Sequence, residues 1–282
     1  MAASRTAEYV ALFRAIESAR PSGKRSFEDP YAAGFLEPGL KAVARASGLP
    51  GLRRLIPAFI DRRWPGARPS AVVRTRIIDD AVAETIGMGA EQMAILGAGY
   101  DTRGVRLPAA RAIPVFELDQ AEIQEKKAAK LQVMLGQLPP NLIFVPFDLE
   151  REGVGEPLAR AGFVSGRHSV FLWEGVLSYL TPEAVDATLA WVREAGAPGS
   201  RLIFTYVDIA HFGPGGAGGN EVPWSAAVAK VGEPFRYGLD PAKLESFLVQ
   251  RGLGLMWDLS TAQALGSDKA PNFYRIACAQ AL

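Results

Sequence analysis

Seven short apolar runs after residue 92 constrain the fold of this chain more than any other feature. They read "MAILGAG", "IPVFELD", "LIFVPFD", "SVFLWEG", "RLIFTYV", "LGLMWDLS" and "FYRIACAQ". Most are continuous rather than alternating in hydropathy, which is typical of strands buried on both faces of a parallel sheet. Helix-like segments separate several of them, and two of these segments begin with the helix-start pairs Thr181-Pro182 and Asp240-Pro241. Strands alternating with helices predict an open α/β sheet with helices on both faces.

Residues 1–85 have a different character, because their apolar positions recur at helical spacing between prolines and glycines. The strongest helix pattern is "PSAVVRTRIIDDAVAETIG", which Gly87 and Gly89 are expected to end. We therefore predict an N-terminal helical cap at 1–85 and a sheet domain at 86–282. The glycine-rich stretch "HFGPGGAGGNEVPW" interrupts the sheet domain and predicts a mobile loop or lid around 208–238.

Charge is distributed unevenly along the chain, although the net charge of the 282 residues is only +1. Residues 1–76 hold 14 Lys and Arg against 6 Asp and Glu. This basic segment is either a solvated face or a cap that attracts anionic substrates. The net charge gives no reason to expect nucleic acid or a membrane surface as a partner.

The single cysteine, Cys278, excludes an internal disulfide and a cysteine-based zinc site, and the apolar run around it predicts a buried packing role. No metal site is expected. The N-terminal segment lacks the apolar core of a signal peptide, and no run approaches the ~20 residues that span a bilayer. We therefore expect a cytoplasmic protein, of an oligomeric state that the sequence leaves open.

The first apolar run ends in Gly97-Ala98-Gly99, and the second ends in Asp119. In open α/β sheets, ligands bind beyond the carboxyl ends of the strands. Glycine lets a ligand approach the backbone closely, and an acidic residue about 20 positions later can accept both hydroxyls of a ribose. The pair predicts a nucleoside site, with a merely structural turn as the alternative.

The residues after this turn distinguish between nucleotides. Dinucleotide-binding proteins carry a third glycine three positions after the second and place a pyrophosphate on a helix N-terminus. Thr102 occupies that position here, and Asp101 would add negative charge. A nicotinamide-dependent oxidoreductase is therefore disfavoured, as is a serine hydrolase, since no Gly-x-Ser-x-Gly elbow occurs. S-adenosylmethionine, which has a ribose but no phosphate, fits better.

Two further strand ends carry acidic residues. Asp148, in "FDLE", can accept from an adenine amino group with Leu149 packed on the ring, or it can simply cap the following turn. Glu174 interrupts the apolar run "SVFLWEG", and an unpaired buried carboxylate is costly. Its partner is either the ammonium group of the ligand or a nearby arginine in a structural ion pair.

Together, "DPYAAGFL", "RTRIIDD", "ILGAGYDTR", "FELD", "PFDL" and "WEGVLSYLTPE" resemble the leucine carboxyl methyltransferase family over about residues 26–275. The resemblance is strongest to its bacterial small-molecule O-methyltransferases, which include carboxyl methyltransferases of polyketide pathways. It implies a class I methyltransferase fold, Rossmann-like, whose seventh strand is antiparallel. It also implies S-adenosylmethionine as the methyl donor.

The resemblance further implies roles for particular residues. Arg74 and Tyr179 are the catalytic candidates: Arg74, with Arg76 as its rival, binds the donor's carboxylate, and Tyr179 faces the methyl-accepting group. Glu174 lies by the amino-acid part of the donor. The rest of the donor pocket consists of Gly97, Ala98 and Gly99, of Asp119 at the ribose, and of Asp148 and Leu149 at the adenine.

The resemblance does not extend to every member of the family. The lysine that phosphatase-modifying members use near the Asp-Pro-Tyr block has no match, because Lys24 is displaced. This departure favours a small-molecule acceptor, either anionic or aromatic. Residues that could cover an aromatic acceptor are Phe212, Trp224 and Phe235.

A carboxylate acceptor is already ionised at pH 7, so it needs an anchor and no general base. Of the two histidines, His168 is expected in a loop, whereas His211 begins the glycine-rich stretch and is a candidate substrate contact. Because bases are scarce, we expect a carboxylate of a polyketide or another secondary metabolite to become a methyl ester. Methylation of a hydroxyl or phenol, and non-catalytic donor binding, are the alternatives. The candidate anchors are Arg74, Arg76, Tyr179 and Tyr206.

Overall fold

The computed structural model describes residues 5–148, 154–211, 235–267 and 273–282. In this part of the chain the seven apolar runs form the seven strands of one sheet, as predicted. The strands are β1 (Gln92–Leu96), β2 (Val115–Asp119), β3 (Leu142–Pro146), β4 (Ser169–Trp173), β5 (Arg201–Val207), β6 (Leu253–Ser260) and β7 (Tyr274–Ala281).

The strand order of the sheet is β3-β2-β1-β4-β5-β7-β6. Strands β1 to β5 are parallel, and β7 runs antiparallel to both β5 and β6. This is the sheet of the class I methyltransferase fold, with the seventh strand antiparallel as expected. The order reverses between β1 and β4, so the carboxyl ends of β1, β2 and β4 border the crevice in which such sheets bind ligands.

Ten α-helices and six short 3-10 helices lie within the described ranges. None of these helices is long and apolar enough to cross a membrane. The α-helices are α1 (Arg5–Ser18), α2 (Pro38–Ala46), α3 (Leu52–Arg63), α4 (Ala67–Gly87), α5 (Arg103–Arg106), α6 (Ala121–Leu135), α7 (Gly155–Arg160), α8 (Pro182–Ala195), α9 (Leu244–Val249) and α10 (Thr261–Leu265). The 3-10 helices are Ser22–Lys24, Ala32–Phe35, Ala110–Ala112, Leu177–Tyr179, Ile209–His211 and Pro241–Lys243.

The central strands β1, β4 and β5 are buried on both faces of the sheet. Successive side chains of a strand point in opposite directions, so each face has its own core. In β1, Ile95 packs in the cluster that contains Ile78 of α4. Its neighbour Leu96 packs on the other side, in the cluster that contains Leu189 of α8. The apolar runs are continuous because alternate residues of a strand are buried in one or the other of these two cores.

Helix α4 connects the N-terminal helices to the sheet, since it packs on α1 and α3 as well as on β4 and β5. It ends at Gly87 as predicted, and Gly89 follows with φ of +101°. The division into a cap at 1–85 and a sheet domain at 86–282 stays a prediction, as does the lid, most of which lies outside the described residues.

The two helix-start pairs differ in what they begin. Thr181 Oγ1 accepts a hydrogen bond from Ala184 N at 3.2 Å, and α8 follows as predicted. Asp240 Oδ1 accepts from Ala242 N at 3.0 Å. The predicted helix after Asp240, however, is divided into a 3-10 turn and the short α9.

Candidate active site

The turn after β1 borders the crevice. Gly97 and Gly99 have φ of +67° and +43°, in the left-handed region that favours glycine. A Cβ on Gly97 would lie 2.4 Å from Cγ2 of Val176, so this glycine makes room for the segment after β4. A Cβ on Gly99 would have Ala7 as its nearest neighbour, at 3.7 Å. Close ligand approach was expected at both glycines, but at Gly97 the space belongs to a side chain of the protein itself.

Asp119 lies directly beside this turn. Its Oδ2 accepts from Gly99 N at 2.6 Å and its Oδ1 from Gln120 N at 2.7 Å. Ala98 N donates to Leu118 O at 2.9 Å, which ties the turn to β2. Burial raises the pKa of Asp119 above its ordinary value, against the opposing effect of the two backbone hydrogen bonds. The structure therefore brings the glycine turn and the acidic residue together, while ribose binding stays a prediction.

Glu174, directly after β4, is held by two arginines. Its Oε1 accepts from Arg74 Nε and its Oε2 from Arg103 Nη1, both at 2.6 Å. Burial alone would raise the pKa of Glu174, but the two guanidinium groups outweigh it and hold this pKa below its ordinary value. The guanidinium of Arg74 also lies 5.0 Å from the centre of the Tyr274 ring. An ion pair with arginine is thus the partner seen, whereas contact with a ligand's ammonium group stays a prediction.

Arg103 joins three carboxylates at this point. Besides Glu174 it binds Asp79 Oδ1 through Nε at 2.8 Å and Asp101 Oδ2 through Nη1. Burial alone would raise the pKa of Asp101, but the Arg103 charge dominates and the pKa falls to about 2. The Asp101 charge, which we expected to repel a pyrophosphate, is therefore compensated by Arg103. Thr102 in place of a third glycine is then the feature that disfavours a dinucleotide.

The ion pairs continue towards the N-terminal helices. Arg106 donates to both oxygens of Asp79, at 2.6 and 2.7 Å. Asp29 Oδ2 accepts from Thr102 Oγ1 at 2.7 Å and from Arg14 Nε at 2.9 Å. Sequence reasoning missed this arrangement, although the acidic Asp79 on the apolar face of α4 was a signal of a buried partner. We call the following side chains, each at most 12% exposed, the arginine network: Arg14, Arg74, Arg103 and Arg106 with Asp29, Asp79, Asp101 and Glu174.

This chain is similar to known proteins. The family model described as leucine carboxyl methyltransferase matches residues 7–193. This chain belongs to that family. A protein of Mycolicibacterium gilvum, provisionally named an S-adenosyl-L-methionine-dependent methyltransferase, is 36% identical over 246 residues, or 83% of this chain and 73% of that protein. A Frankia alni protein with the same kind of provisional name is 36% identical over 204 residues, or 71% of this chain and 67% of that protein.

A solved structure supports the fold. The crystal structure of a provisionally named methyltransferase from Thermobifida fusca is similar to this one with a TM-score of 0.62, and the match covers 96% of this chain and 94% of that chain. At 17% identity, this likeness concerns the fold alone. The family and the fold that the sequence motifs suggested are confirmed.

Family membership directs attention to the two arginines of "RTR" in α4. Arg74 reaches Glu174 in the crevice, whereas Arg76 is 54% exposed and binds Asp80 at 2.7 Å and Ser26 O at 2.8 Å. The structure therefore brings Arg74, and not its rival, to the predicted donor side. Within the described ranges, no group accepts a hydrogen bond from the two terminal nitrogens of Arg74.

The predicted acceptor side lies around the 3-10 helix after β4. The ring of Tyr179 is 5.4 Å from that of Phe235. Ser178 O accepts from Arg236 N at 2.7 Å and from Tyr237 N at 3.1 Å, which places this segment against the 3-10 helix. Contact between Tyr179 and a methyl acceptor stays a prediction. Two candidates for covering an aromatic acceptor, Phe212 and Trp224, lie outside the described residues.

The two histidines lie at opposite ends of the parallel strands. His168 Nε2 is 3.0 Å from Gly199 O, near the amino ends of β4 and β5 and far from the crevice. His211 is exposed beyond the carboxyl end of β5, with its ring 6.0 Å from that of Phe273. Of the two histidines, only His211 thus lies at the carboxyl ends of the strands, where the candidate site is. Among the residues that the structure describes, no group of His, Cys, Asp and Glu is arranged to hold a metal ion.

Three further predictions have different outcomes. Tyr206 was wrong as an acceptor anchor, because its buried hydroxyl donates to Asp258 of β6 at 2.9 Å. Cys278 is fully buried, and burial raises the pKa of its thiol to about 12, which confirms a packing role. Asp148 follows β3 at the same edge of the sheet and is half-buried. Leu149 lies outside the described residues, so the adenine contacts stay predictions.

Proposed function

We propose that this protein transfers a methyl group to a carboxylate of a small molecule and forms a methyl ester. As a member of the leucine carboxyl methyltransferase family, it is an S-adenosylmethionine-dependent methyltransferase. One observation about the crevice supports a carboxylate, and not a hydroxyl, as the acceptor. Arginines lower the pKa values of Asp101 and Glu174, and Asp119 is assigned to the donor's ribose, so none of the three is left to take a proton from an acceptor hydroxyl.

The side chains of the crevice fit the donor. Each oxygen of Asp119 uses one lone pair on a backbone amide and keeps another for a ribose hydroxyl. The terminal nitrogens of Arg74 match the donor's carboxylate, and Glu174 can add an ammonium group to its two arginine contacts. Because the arginine network is balanced in charge, a zwitterionic amino acid enters without leaving a buried charge unpaired. The bound donor supplies a methyl group already activated by its sulfonium.

Displacement at such a methyl group needs alignment and exclusion of water more than proton transfer. Val176 packs on Gly97 and lies between Glu174 and Tyr179, so one short segment connects the donor side with the acceptor side. We assign to the Tyr179 hydroxyl the role of donating a hydrogen bond to the acceptor carboxylate. The paired rings of Tyr179 and Phe235 would exclude water from the reacting atoms.

A small anionic acceptor also suits the charge of the chain, since residues 1–76 hold 14 basic against 6 acidic side chains. A carboxylic acid of a polyketide or another secondary metabolite has this chemistry. The alternative, a hydroxyl or phenol, requires a general base, and His211 at the carboxyl edge of the sheet is the observation that favours it.

Calorimetric titration tests the donor. We expect binding of S-adenosylmethionine and S-adenosylhomocysteine and none of NAD. Asp119→Ala should abolish donor binding. The control is Asp186→Ala, which removes an exposed carboxylate paired with Arg251 and should leave donor binding unchanged. Affinity for NAD alone would overturn the donor assignment, and full affinity in Asp119→Ala would overturn the ribose contact.

A labelled-methyl assay across carboxylic acids and phenols tests the acceptor. Label that base releases is an ester, and label that base leaves in place is an ether. We expect base-labile product. Base-stable product alone would replace the carboxylate by a hydroxyl, and donor binding without any methylated product across the panel would favour a non-catalytic binding protein.

A further inference from the structure

Helix α3 presents an apolar strip to solvent. Leu52, Leu55 and Phe59 follow one another at spacings of three and four residues, which places them on one face of the helix. They are 38%, 64% and 69% exposed, and Leu49, just before the helix, is 55% exposed. Ile60, about 100° round the helix from Phe59, is buried in the core cluster that contains Ile16 of α1. We call Leu49, Leu52, Leu55 and Phe59 the α3 strip.

Several cations lie close to the α3 strip. Helix α3 has four arginines and one carboxylate, and that carboxylate, Asp61, is bound by Arg68 of α4 at 2.6 and 2.9 Å. Among the described residues, none of the four arginines of α3 forms a salt bridge. Arg62 follows Leu55 by seven residues and so shares its face. The four arginines are Arg53, Arg54, Arg62 and Arg63.

We propose that the α3 strip docks on the surface of an anionic lipid bilayer. A helix with Phe and Leu on one side and arginines around them lies in the plane of a membrane interface. Its apolar side is then buried at the boundary between the headgroups and the acyl chains. Trp64, directly after α3, is half-buried, and the guanidinium of Arg63 lies 5.3 Å from its ring. An amphipathic ring beside a cation suits this interface.

Other partners match only half of this surface. Nucleic acid would use the arginines but gains little from exposed leucines and a phenylalanine. A second copy of the chain would bring its own arginines to the same place, and like charges would then meet. The whole-chain charge of +1, from which we expected no membrane partner, conceals this local excess of cations.

Vesicle co-sedimentation of the full chain tests the proposal, with phosphatidylcholine vesicles that contain or lack phosphatidylglycerol. We expect binding only to the anionic vesicles, and less of it as salt is raised. Arg54→Gln with Arg62→Gln should weaken binding roughly fivefold for each arginine removed. Leu55→Ser with Phe59→Ser should weaken it more than about tenfold, because both side chains lose their apolar contact with the lipid.

Matched controls lie elsewhere on the surface. Val133→Ser changes an apolar side chain that is 86% exposed on α6, and Arg160→Gln with Lys243→Gln removes the same charge from exposed sites. We expect these variants to bind like the parent, and all variants to keep the parent's thermal midpoint and its affinity for S-adenosylhomocysteine. Equal binding to neutral and anionic vesicles, or full binding by the α3 variants, would overturn the proposal. So would a dimer that the α3 variants abolish.

Discussion

The glycine turn and the arginine network lie side by side in the crevice. The residues that contact one another are close in sequence in the turn and far apart in sequence in the network. The turn joins Gly99 to Asp119, 20 residues away, through the parallel pairing of β1 with β2. The network joins Glu174 to Arg103 and Arg74, 71 and 100 residues away. The turn thus follows from two neighbouring strand ends, whereas the complete network also needs residues that precede the sheet, such as Arg74 and Asp79 of α4.

The largest expected effect is the loss of Arg103, which breaks the network and spares the turn. Arg103→Met leaves Asp101 and Glu174 each with a buried oxygen that has lost its cation, whereas Asp79 keeps Arg106. We expect the free energy of unfolding, measured by denaturant titration, to fall by about 3–5 kcal/mol. Arg103→Lys should recover part of this loss, since it keeps the charge but not the planar fork.

Arg76→Gln is the matched control, because this arginine of α4 pairs on the surface with Asp80. We expect it to cost less than about 0.5 kcal/mol. If Arg103→Met cost no more than Arg76→Gln, the network would contribute nothing to the fold, and the contrast with the turn would disappear.

This contrast also explains how much of the molecule the sequence predicts. All seven strands, the end of α4 at Gly87 and the neighbourhood of Asp119 follow from patterns within one or two elements. The partners of Glu174 were narrowed to a ligand or an arginine, but Arg103 was not identified, because ion pairing depends on packing that no local periodicity records. The segment after Asp240 was predicted as one helix and is divided, since propensity does not fix where a short helix starts.

The next effect separates the two glycines of the turn. Gly97→Ala puts a methyl group 2.4 Å from Val176 at φ of +67°. We expect a loss of about 2–4 kcal/mol in unfolding free energy, from backbone strain and overpacking together. Gly99→Ala, with no neighbour closer than 3.7 Å, should lose only the backbone part, about 1–2 kcal/mol.

A double-mutant cycle with Val176→Ala isolates the packing contribution at Gly97. Shortening Val176 should recover about 1–3 kcal/mol in the Gly97→Ala background and nothing in the Gly99→Ala background. Equal recovery in both backgrounds would mean that Val176 does not occupy the space left by Gly97.

Acid should destabilise the fold through Asp101 of the network, whose pKa is lowered, and not through Asp119 of the turn, whose pKa is raised. The pKa of Asp101 is about 2 in the folded protein, below its ordinary 3.8, so its ionised form stabilises the fold. This contribution, about 2 kcal/mol, is fully present above pH ~5 and disappears as the pH falls towards 2. Denaturant titrations between pH 6 and about 2.5 should therefore show a steeper loss for the parent than for Asp101→Asn. Parallel curves would show that Asp101 titrates as it does in the unfolded chain.

The smallest effect is expected at His211, an exposed side chain on the predicted acceptor side. His211→Ala should change the free energy of unfolding by less than about 0.5 kcal/mol and leave the affinity for S-adenosylhomocysteine unchanged. With a carboxylate acceptor, which is ionised throughout, the rate of methyl transfer should be independent of pH near neutrality in both proteins. A rate that rises with pH in the parent but not in His211→Ala would instead identify a base acting on a hydroxyl. The pH dependence of methyl transfer on this side of the crevice therefore decides the chemistry of the acceptor.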